Sequence, residues 1–435
     1  MSPYSVWLSP FGWAHQALFE ALPWKIRPFD HIVAICYVVA LMSPEGKGPR
    51  VVPVRNALLL SGATTVLWFV YGIARGGGAW QASWQIYLML SGVLFAFAIG
   101  AAFRTTQHFV MLAKVVLAVA AYRALMCWLF YILYIHTMRI QPAPEYITSH
   151  DDTVLWVVSM LIVTIHGIET PRVSTRIKCA LFFLFLCGAV MFNQRRIAWL
   201  SLAMGLALLF VLLPPGRNKR RVTRWVLVAA PFLVLYVIVG WGRSERLFKP
   251  LQSFATVSTQ EDTSTKARNV ENLGLIATSN ANGLLMGTGW GHPYIEVSSK
   301  YSIAEYFPLW QYIPHNSILG LLAYTGVLGF CGYWLIYPTA MFVNARLARM
   351  GNTPLAREAG VIGATQLLVC AFQYYGDMGI YYPKSVYMLA LSYSVALRLP
   401  ILAGAWPAPK GMRRKAQAPL REPIAVAPVA NSGVS

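Results

Sequence analysis

Residues 197–241 read IAWLSLAMGLALLFVLLPPGRNKRRVTRWVLVAAPFLVLYVIVGW. Two apolar runs, 197–213 and 224–241, flank a short joint that carries Arg217, Lys219, Arg220, Arg221 and Arg224. Each run approaches the length a helix needs to cross a hydrocarbon core of roughly 30 Å. A backbone in lipid must satisfy its own hydrogen bonds, so a helix is the form such runs take. The basic joint between them marks the membrane face on which the chain turns back.

The same alternation extends in both directions. Further apolar blocks lie at 29–43, 54–74, 84–103, 112–135, 153–168, 177–193, 316–343, 359–378 and 384–402. The pattern predicts an all-α polytopic membrane protein of about eleven (10–12) transmembrane helices. The block at 29–43 is the shortest and weakest of them, and residues 5–24 offer an alternative interfacial helix beside it. Composition agrees: 57% of residues are hydrophobic and 12% are charged, against roughly 25% charged in soluble domains. The N-terminus lacks the pattern of a removable signal peptide. All six cysteines fall inside apolar blocks, and no CxxC or Cys/His metal spacing occurs.

Lys and Arg in the joints orient the chain. Lys47, Arg50 and Arg55, then Arg104, then Arg172, Arg176 and Lys178, then the 217–224 cluster, then Arg346, Arg349 and Arg357 occupy every second joint. The tail, with Arg398, Lys410, Arg413, Arg414, Lys415 and Arg421, falls on the same side. The intervening joints, near 76–83, 136–152 and 376–383, are poor in basic residues. This predicts an inner-membrane protein with the basic side and C-terminus in the cytoplasm. The net charge of +20 is then explained by cytoplasmic joints facing anionic lipids, and no nucleic-acid-binding motif accompanies it. The domain reading is an N-terminal bundle of about eight spans (1–241), an outer loop (242–315), a C-terminal bundle of about three spans (316–402) and a disordered Ala/Pro-rich tail (403–435). No internal repeat of the kind found in many transporters is visible.

Two basic features break the orientation rule. Arg195 and Arg196 join spans six and seven on the outer side, and the outer loop carries Arg243, Arg246, Lys249, Lys266, Arg268 and Lys300. Cations where topology does not want them suggest an anionic ligand. At about 74 residues the loop is far longer than a connector, and such loops are commonly functional. Its aromatic residues, among them Phe254, Trp290, Tyr294, Tyr306 and Trp310, predict that it folds onto the membrane surface. Residues 265–281 read as an amphipathic helix with Val270, Leu273 and Ala277 on one face, next to Leu275 and Ile276, followed by a glycine-rich turn from Gly283 to Gly291.

Three blocks in 180–345 resemble the O-antigen ligase and polysaccharide polymerase superfamily (the Wzy/WaaL type). Arg195-Arg196-Ile197-Ala198-Trp199-Leu200 is similar to its Ser-Arg-Gly-Ala-Trp-Leu opening. Arg268, followed by Gly283-Leu284-Leu285-Met286-Gly287-Thr288-Gly289, is similar to its Arg-…-Pro-Leu-Leu-Gly-Val-Gly element. Pro314-His315-Asn316-Ser317, continuing to Gly326-Val327-Leu328-Gly329, resembles its His-Asn-Ser-…-Gly-…-Gly helix start and is the most specific of the three. Ile197 stands for the family's Gly, Gly283 for its Pro, and one extra residue precedes the glycine turn. The resemblance implies a GT-C-like architecture with one large periplasmic loop. It also implies metal-independent, cofactor-free transfer of a glycan from undecaprenyl diphosphate to a sugar hydroxyl at the periplasmic face, on a growing glycan or on lipid A-core. A chain-length regulator or flippase would be a natural partner. The alternative class is a transporter or flippase of lipid-linked glycans, which would place charges near the bilayer midplane.

The chemistry assigns roles within that resemblance. Departure of a lipid diphosphate builds negative charge, which fixed cations stabilise. Guanidinium stays charged and grips phosphate oxygens in pairs, so Arg196 and Arg268 are the first choices, with Arg195 and Lys266 as second. An acceptor hydroxyl needs a base or a hydrogen-bond partner, and His315 suits both, with Asn316-Ser317 capping the following helix. Plainer readings stand beside these: a capping or interfacial His315, a snorkelling Arg196, an Arg268 that only solvates its helix, a His292 that belongs to the loop. Arg123, inside the fourth span, should face the bundle interior and either reach a lipid phosphate or hold a structural partner. Asp377 would pair with Lys384, or orient His315 or an arginine.

Overall fold

The computed structural model describes residues 27–44, 46–139, 147–241, 243, 248, 251, 263–302, 305 and 307–407. The suggested interfacial helix at 5–24, Arg246, Lys249, Phe254, Tyr306 and the tail from residue 408 lie outside these. Helices are the only regular secondary structure among the described residues, which contain no strand.

The helices are α1 (Pro28–Met42), α2 (Val52–Ala74), α3 (Ala79–Ala102), α4 (Thr106–Phe130, continued by a π-helical turn Tyr131–Thr137), α5 (Asp152–Glu169), α6 (Val173–Asn193), α7 (Arg196–Leu212), α8 (Arg217–Gly240), α9 (Thr263–Asn282), α10 (Ser317–Trp334), α11 (Ile336–Met350), α12 (Pro354–Gly376) and α13 (Pro383–Leu402). Among the described residues, nine stretches are long and apolar enough to cross a membrane, with α10 and α11 forming one continuous stretch, Ser317–Met350. The other two expected spans correspond to α1 and α7, which are apolar but shorter. At about 1.5 Å per residue, the 15 residues of α1 reach only about 22 Å. The protein is a polytopic, all-helical membrane protein, with nine full-length candidate spans and the two shorter apolar helices α1 and α7 among the described residues.

Local chemistry sets the helix starts. Proline stands in the first turn of α1, α2, α12 and α13, where its missing N–H costs no hydrogen bond. Thr105 and Thr353 cap α4 and α12 by accepting from the backbone N–H groups of His108 and Ala356.

The bundle is built around α5, α12, α13 and α3. Of the apolar window of α5, 72% is buried within the molecule, and of α8, none. A helix apolar on all sides is either a core element or faces lipid all round; α5 is the first kind and α8 the second. Close helix approaches fall where glycine replaces a side chain. A Cβ on Gly376 would stand 2.4 Å from Ile197 Cδ1, so the end of α12 packs directly onto the start of α7.

Cross-contacts show that the basic joints gather at one end of the bundle. Arg104 Nη2 donates to Ser43 Oγ at 2.7 Å, Arg398 Nη1 to the Pro49 carbonyl at 2.7 Å and Arg349 Nη2 to the Val211 carbonyl at 2.8 Å. Residues 403–407 join that end: Arg346 Nε donates to the Ala405 carbonyl and its guanidinium lies over the Trp406 ring. The basic-poor joints meet at the opposite end, where the outer-loop residues also fold.

Candidate functional site

The site is assembled at the basic-poor end from five chain segments. The first is the tight turn between α6 and α7. Gln194 closes α6 in the left-handed conformation, φ 55°, which lets Arg195 start α7 at once. The buried Asn193 side chain accepts from the Thr148 N–H at 2.9 Å. That bond clamps the segment preceding α5 beside the turn and brings His150 to Arg195.

His150 Nε2 lies 2.6 Å from Arg195 Nη2. Guanidinium only donates, so Nε2 is the acceptor and carries no proton. The proton of the neutral ring is then on Nδ1, which donates to the Asp377 carboxylate. The Tyr382 ring stacks on the imidazole, centroids 5.9 Å apart. Asp377 caps α12 and is almost completely buried. Its carboxylate also accepts from the Met378 N–H at 2.9 Å and from Gln373 Nε2 at 3.3 Å. Burial works to raise its pKa. The hydrogen bonds from His150 and from the Met378 N–H, with the nearby Arg268 charge, outweigh that and hold the group below the ordinary carboxylate value. Burial first, then the Asp377 and Asp151 charges, pushes the Tyr382 hydroxyl up, against Arg195 and Arg268.

His315 lies just before α10, whose first residue contacts Asp377. Asn316 caps α10 as its position suggests, its side chain accepting from the Leu319 N–H at 3.1 Å. Ser317 Oγ donates to the Asp377 backbone carbonyl at 3.2 Å, which ties the start of α10 to the His150–Arg195 chain. Glu271 of α9 holds His315 twice: one carboxylate oxygen accepts the backbone N–H at 2.5 Å, and the other lies 2.9 Å from Nδ1. The Glu271 side chain is buried, whereas 26% of the His315 side chain is exposed. A carboxylate on Nδ1 fixes that nitrogen as the protonated one and leaves the Nε2 lone pair as the basic position.

Glu271 overturns the expected orientation of α9. The predicted face combined Val270, Leu273 and Ala277 with Leu275 and Ile276. Of these Leu275 is buried, but Leu273 and Ile276 are exposed. The inward face is Glu271, Gly274, Leu275, Thr278 and Ser279. Small residues win there because the loop backbone presses in: Thr278 Oγ1 accepts from the Ile295 N–H, and a Cβ on Gly274 would sit 2.4 Å from the Ile295 carbonyl oxygen. Leu275, Tyr294, Trp310 and Ala323 make a small core beneath α9, so these loop aromatics are packed under α9.

The glycine-rich segment is a structural seam. α10 breaks at Gly326, φ 60° and ψ −174°, and the loop backbone fills the break. The Thr288 and Gly289 N–H groups donate to the Ala323 and Tyr324 carbonyls, and those of Val327 and Leu328 donate to Leu284 and Leu285. Gly289 itself lies against Gly72, where a Cβ would approach Cα to 2.3 Å. His292 Nε2 is 3.1 Å from the Gly72 carbonyl, in keeping with a loop role.

The remaining candidates are placed as follows. Arg196 begins α7 and is half-buried; Arg268 is half-buried on α9 and acts on Asp377 and Tyr382; Lys266 is exposed on the same helix. Arg123 faces inward and is held by Asp152, Nη2 to Oδ2 2.6 Å. Lys384 pairs with Asp151 at 3.2 Å and Asp152 at 2.8 Å, and Asp377 takes His150 in its place. Two members of the site, His150 and Glu271, escaped the sequence reading. Their only signal is residue type: a histidine in a basic-poor joint and a carboxylate three residues past Arg268. Among the described residues no group of three His, Cys, Asp or Glu side chains is arranged to hold a metal ion.

Residues 181–334 match the family model described as O-Antigen ligase (Wzy_C). The match opens in α6 and closes in α10. It includes Arg195, Arg196, Arg268, Glu271 and His315. Two further site residues, His150 and Asp377, come from outside it. No curated protein matches the chain.

Proposed function

We propose that the protein is a metal-independent glycan transferase of the O-antigen ligase or polysaccharide polymerase type. It passes a glycan from undecaprenyl diphosphate to a sugar hydroxyl at the periplasmic membrane face. The family match supports the ligase or polymerase class. The observation that carries the residue roles is the juxtaposition of the Glu271–His315 pair with the Asp377–His150–Arg195 chain through Ser317.

In this reading His315 Nε2 takes the proton of the acceptor hydroxyl as its oxygen bonds to the anomeric carbon. The bond from that carbon to the diphosphate oxygen breaks, and its electron pair leaves with the lipid diphosphate. Arg195 and Arg268, with Arg196 and Lys266 around them, offset the negative charge that develops. Direct attack by the hydroxyl inverts the anomeric configuration. Asn316 sets the start of α10, and Asp377 holds the arginine side of the site to the histidine side. Arg123 already has Asp152 as partner, and its role is to stabilise the bundle beneath the site. The basic end faces the cytoplasm and its anionic lipids, and the site faces outward. The polymerase form is preferred, with a growing glycan as acceptor; lipid A-core is the acceptor in the ligase form.

The test is a deletion strain complemented with wild type or His315→Ala and read on a polysaccharide gel. Cores carrying a single repeat would identify a polymerase, and bare cores with lipid-linked polymer accumulating would identify a ligase. Unchanged glycans with His315→Ala would sink the role of His315.

A further inference from the structure

The residues that α9 and the turn after it direct away from the protein are apolar. Leu273 and Ile276 lie one helical turn apart, Leu284 and Leu285 follow in the glycine-rich turn, and the four are 45–63% exposed. Single exposed leucines are ordinary on a protein surface, but four gathered at one end of one element call for a cover.

Backbone hydrogen bonds fix the level of that end. The Leu284 and Leu285 carbonyls accept from Val327 and Leu328, inside the candidate span Ser317–Met350. The Met286 carbonyl accepts from Trp68 Nε1 at 2.8 Å, inside the candidate span Val52–Ala74. Leu328 on the first span, and Val66, Leu67 and Val70 on the second, are themselves exposed. The leucine pair therefore continues the apolar belt of two helices that cross the membrane, and outer-leaflet acyl chains are the cover that fits it.

The other end of α9 stands higher. Glu271 meets His315 just before α10 begins, whereas Leu284 meets Val327. The stretch of α10 from Ser317 to Val327 measures about 15 Å along a helix axis. The 34 residues of Ser317–Met350 would reach about 50 Å if straight, against a hydrocarbon core of roughly 30 Å. The outer part of α10 thus stands clear of the hydrocarbon, and α9 descends beside it toward the bilayer.

We propose that the C-terminal end of α9 and the glycine-rich turn form a wedge in the outer leaflet, with Leu284 and Leu285 among the acyl chains, and that this wedge sets the height of the site. Apolar faces of interfacial elements sink about 5–10 Å past the headgroup boundary. Glu271 and His315, about 15 Å further out, then stand at headgroup level, where the diphosphate of a membrane lipid lies. The height-setting role rests on the transferase reading; the wedge does not.

The experiment places the photoreactive amino acid benzoylphenylalanine at Leu285 or, separately, at Asn269, which is exposed near the other end of α9. The full-length protein is irradiated in phosphatidylcholine nanodiscs and its adducts are identified by mass spectrometry. Position 285 should capture phospholipid through the acyl chain, and position 269 should not. Equal capture at both would overturn the proposal, because α9 would then lie flat on the membrane. Capture at 285 of a second copy, of residues 242–262 or of nothing would overturn it as well. Height is read with Leu284→Ser and Leu285→Ser combined. The KM for an undecaprenyl-diphosphate glycan in nanodiscs should rise about tenfold, with kcat, melting temperature and the KM for a short-chain, water-soluble donor as in wild type. An unchanged KM for the embedded donor, or an equal rise for both donors, would remove the height-setting role. Capture needs no turnover, so a protein inactive with either donor would remove the transferase reading and leave the wedge to the capture result.

Discussion

Glu271→Gln tests the histidine geometry with the smallest possible change. The Glu271 carboxylate faces two donors, the His315 backbone N–H at 2.5 Å and Nδ1 at 2.9 Å. A glutamine has one oxygen and one NH2 for those two positions. The backbone N–H only donates, so the amide oxygen must face it, and the NH2 is left against Nδ1. Nδ1 must then accept, which moves the ring proton to Nε2 and removes the lone pair assigned to the acceptor hydroxyl. General-base assistance contributes about 10²–10⁴-fold, which corresponds to about 2.7–5.5 kcal/mol of barrier. The expected result is a kcat lowered by that factor, with the donor KM nearly unchanged and a melting temperature close to wild type. The assay is transfer by purified protein from a synthetic polyprenyl-diphosphate glycan, with product separated by gel or chromatography. A Gln variant within about threefold of wild-type kcat, far below the general-base range, would refute the assigned tautomer. So would a loss carried by KM alone.

Other substitutions probe the frame around the site. Gly326→Ala places a Cβ 2.3 Å from the Leu285 carbonyl at a φ of 60°, so folded yield in detergent should fall sharply, whereas Gly216→Ala, where a Cβ meets nothing within 4 Å, should express as wild type. Asp152→Asn leaves Arg123 and Lys384 without their shared carboxylate and should destabilise by about 3 kcal/mol, read as a lowered melting temperature. Asp377 has a folded pKa below its ordinary 3.8; its stabilisation is therefore complete above that value and lost as pH falls through the lowered one. The melting-temperature gap between wild type and Asp377→Asn should stay constant from neutral pH to about pH 4.5 and close only at more acid values.

What the sequence alone determined is the part written in local composition. Apolar runs and alternating basic joints placed the helices and sorted the joints into two sets, because lipid forces each span to satisfy its own backbone and the charge bias acts joint by joint. The same local reading found Asn316 as a cap, Arg123 as an inward charge and the glycine-rich turn as a special backbone. It also singled out His315, Arg195, Arg196 and Arg268, on the strength of a short-range pattern. Each of the eleven expected blocks is helical, and α1 and α7 are the two that are shorter than the rest.

Tertiary structure decided which of these residues meet. Glu271 and His315 are 44 positions apart and His150 and Asp377 are 227 apart, and no periodicity relates them. A buried carboxylate looks like a surface residue until its partner is known, which is why α9 was expected to turn Leu273 inward and instead turns Glu271. Likewise Asp377 and Lys384 sit seven positions apart across a short joint, yet each finds its charge partner in the 150–152 segment. Spans are fixed by what each residue prefers against lipid; a site is fixed by which ends of those spans the packing brings together.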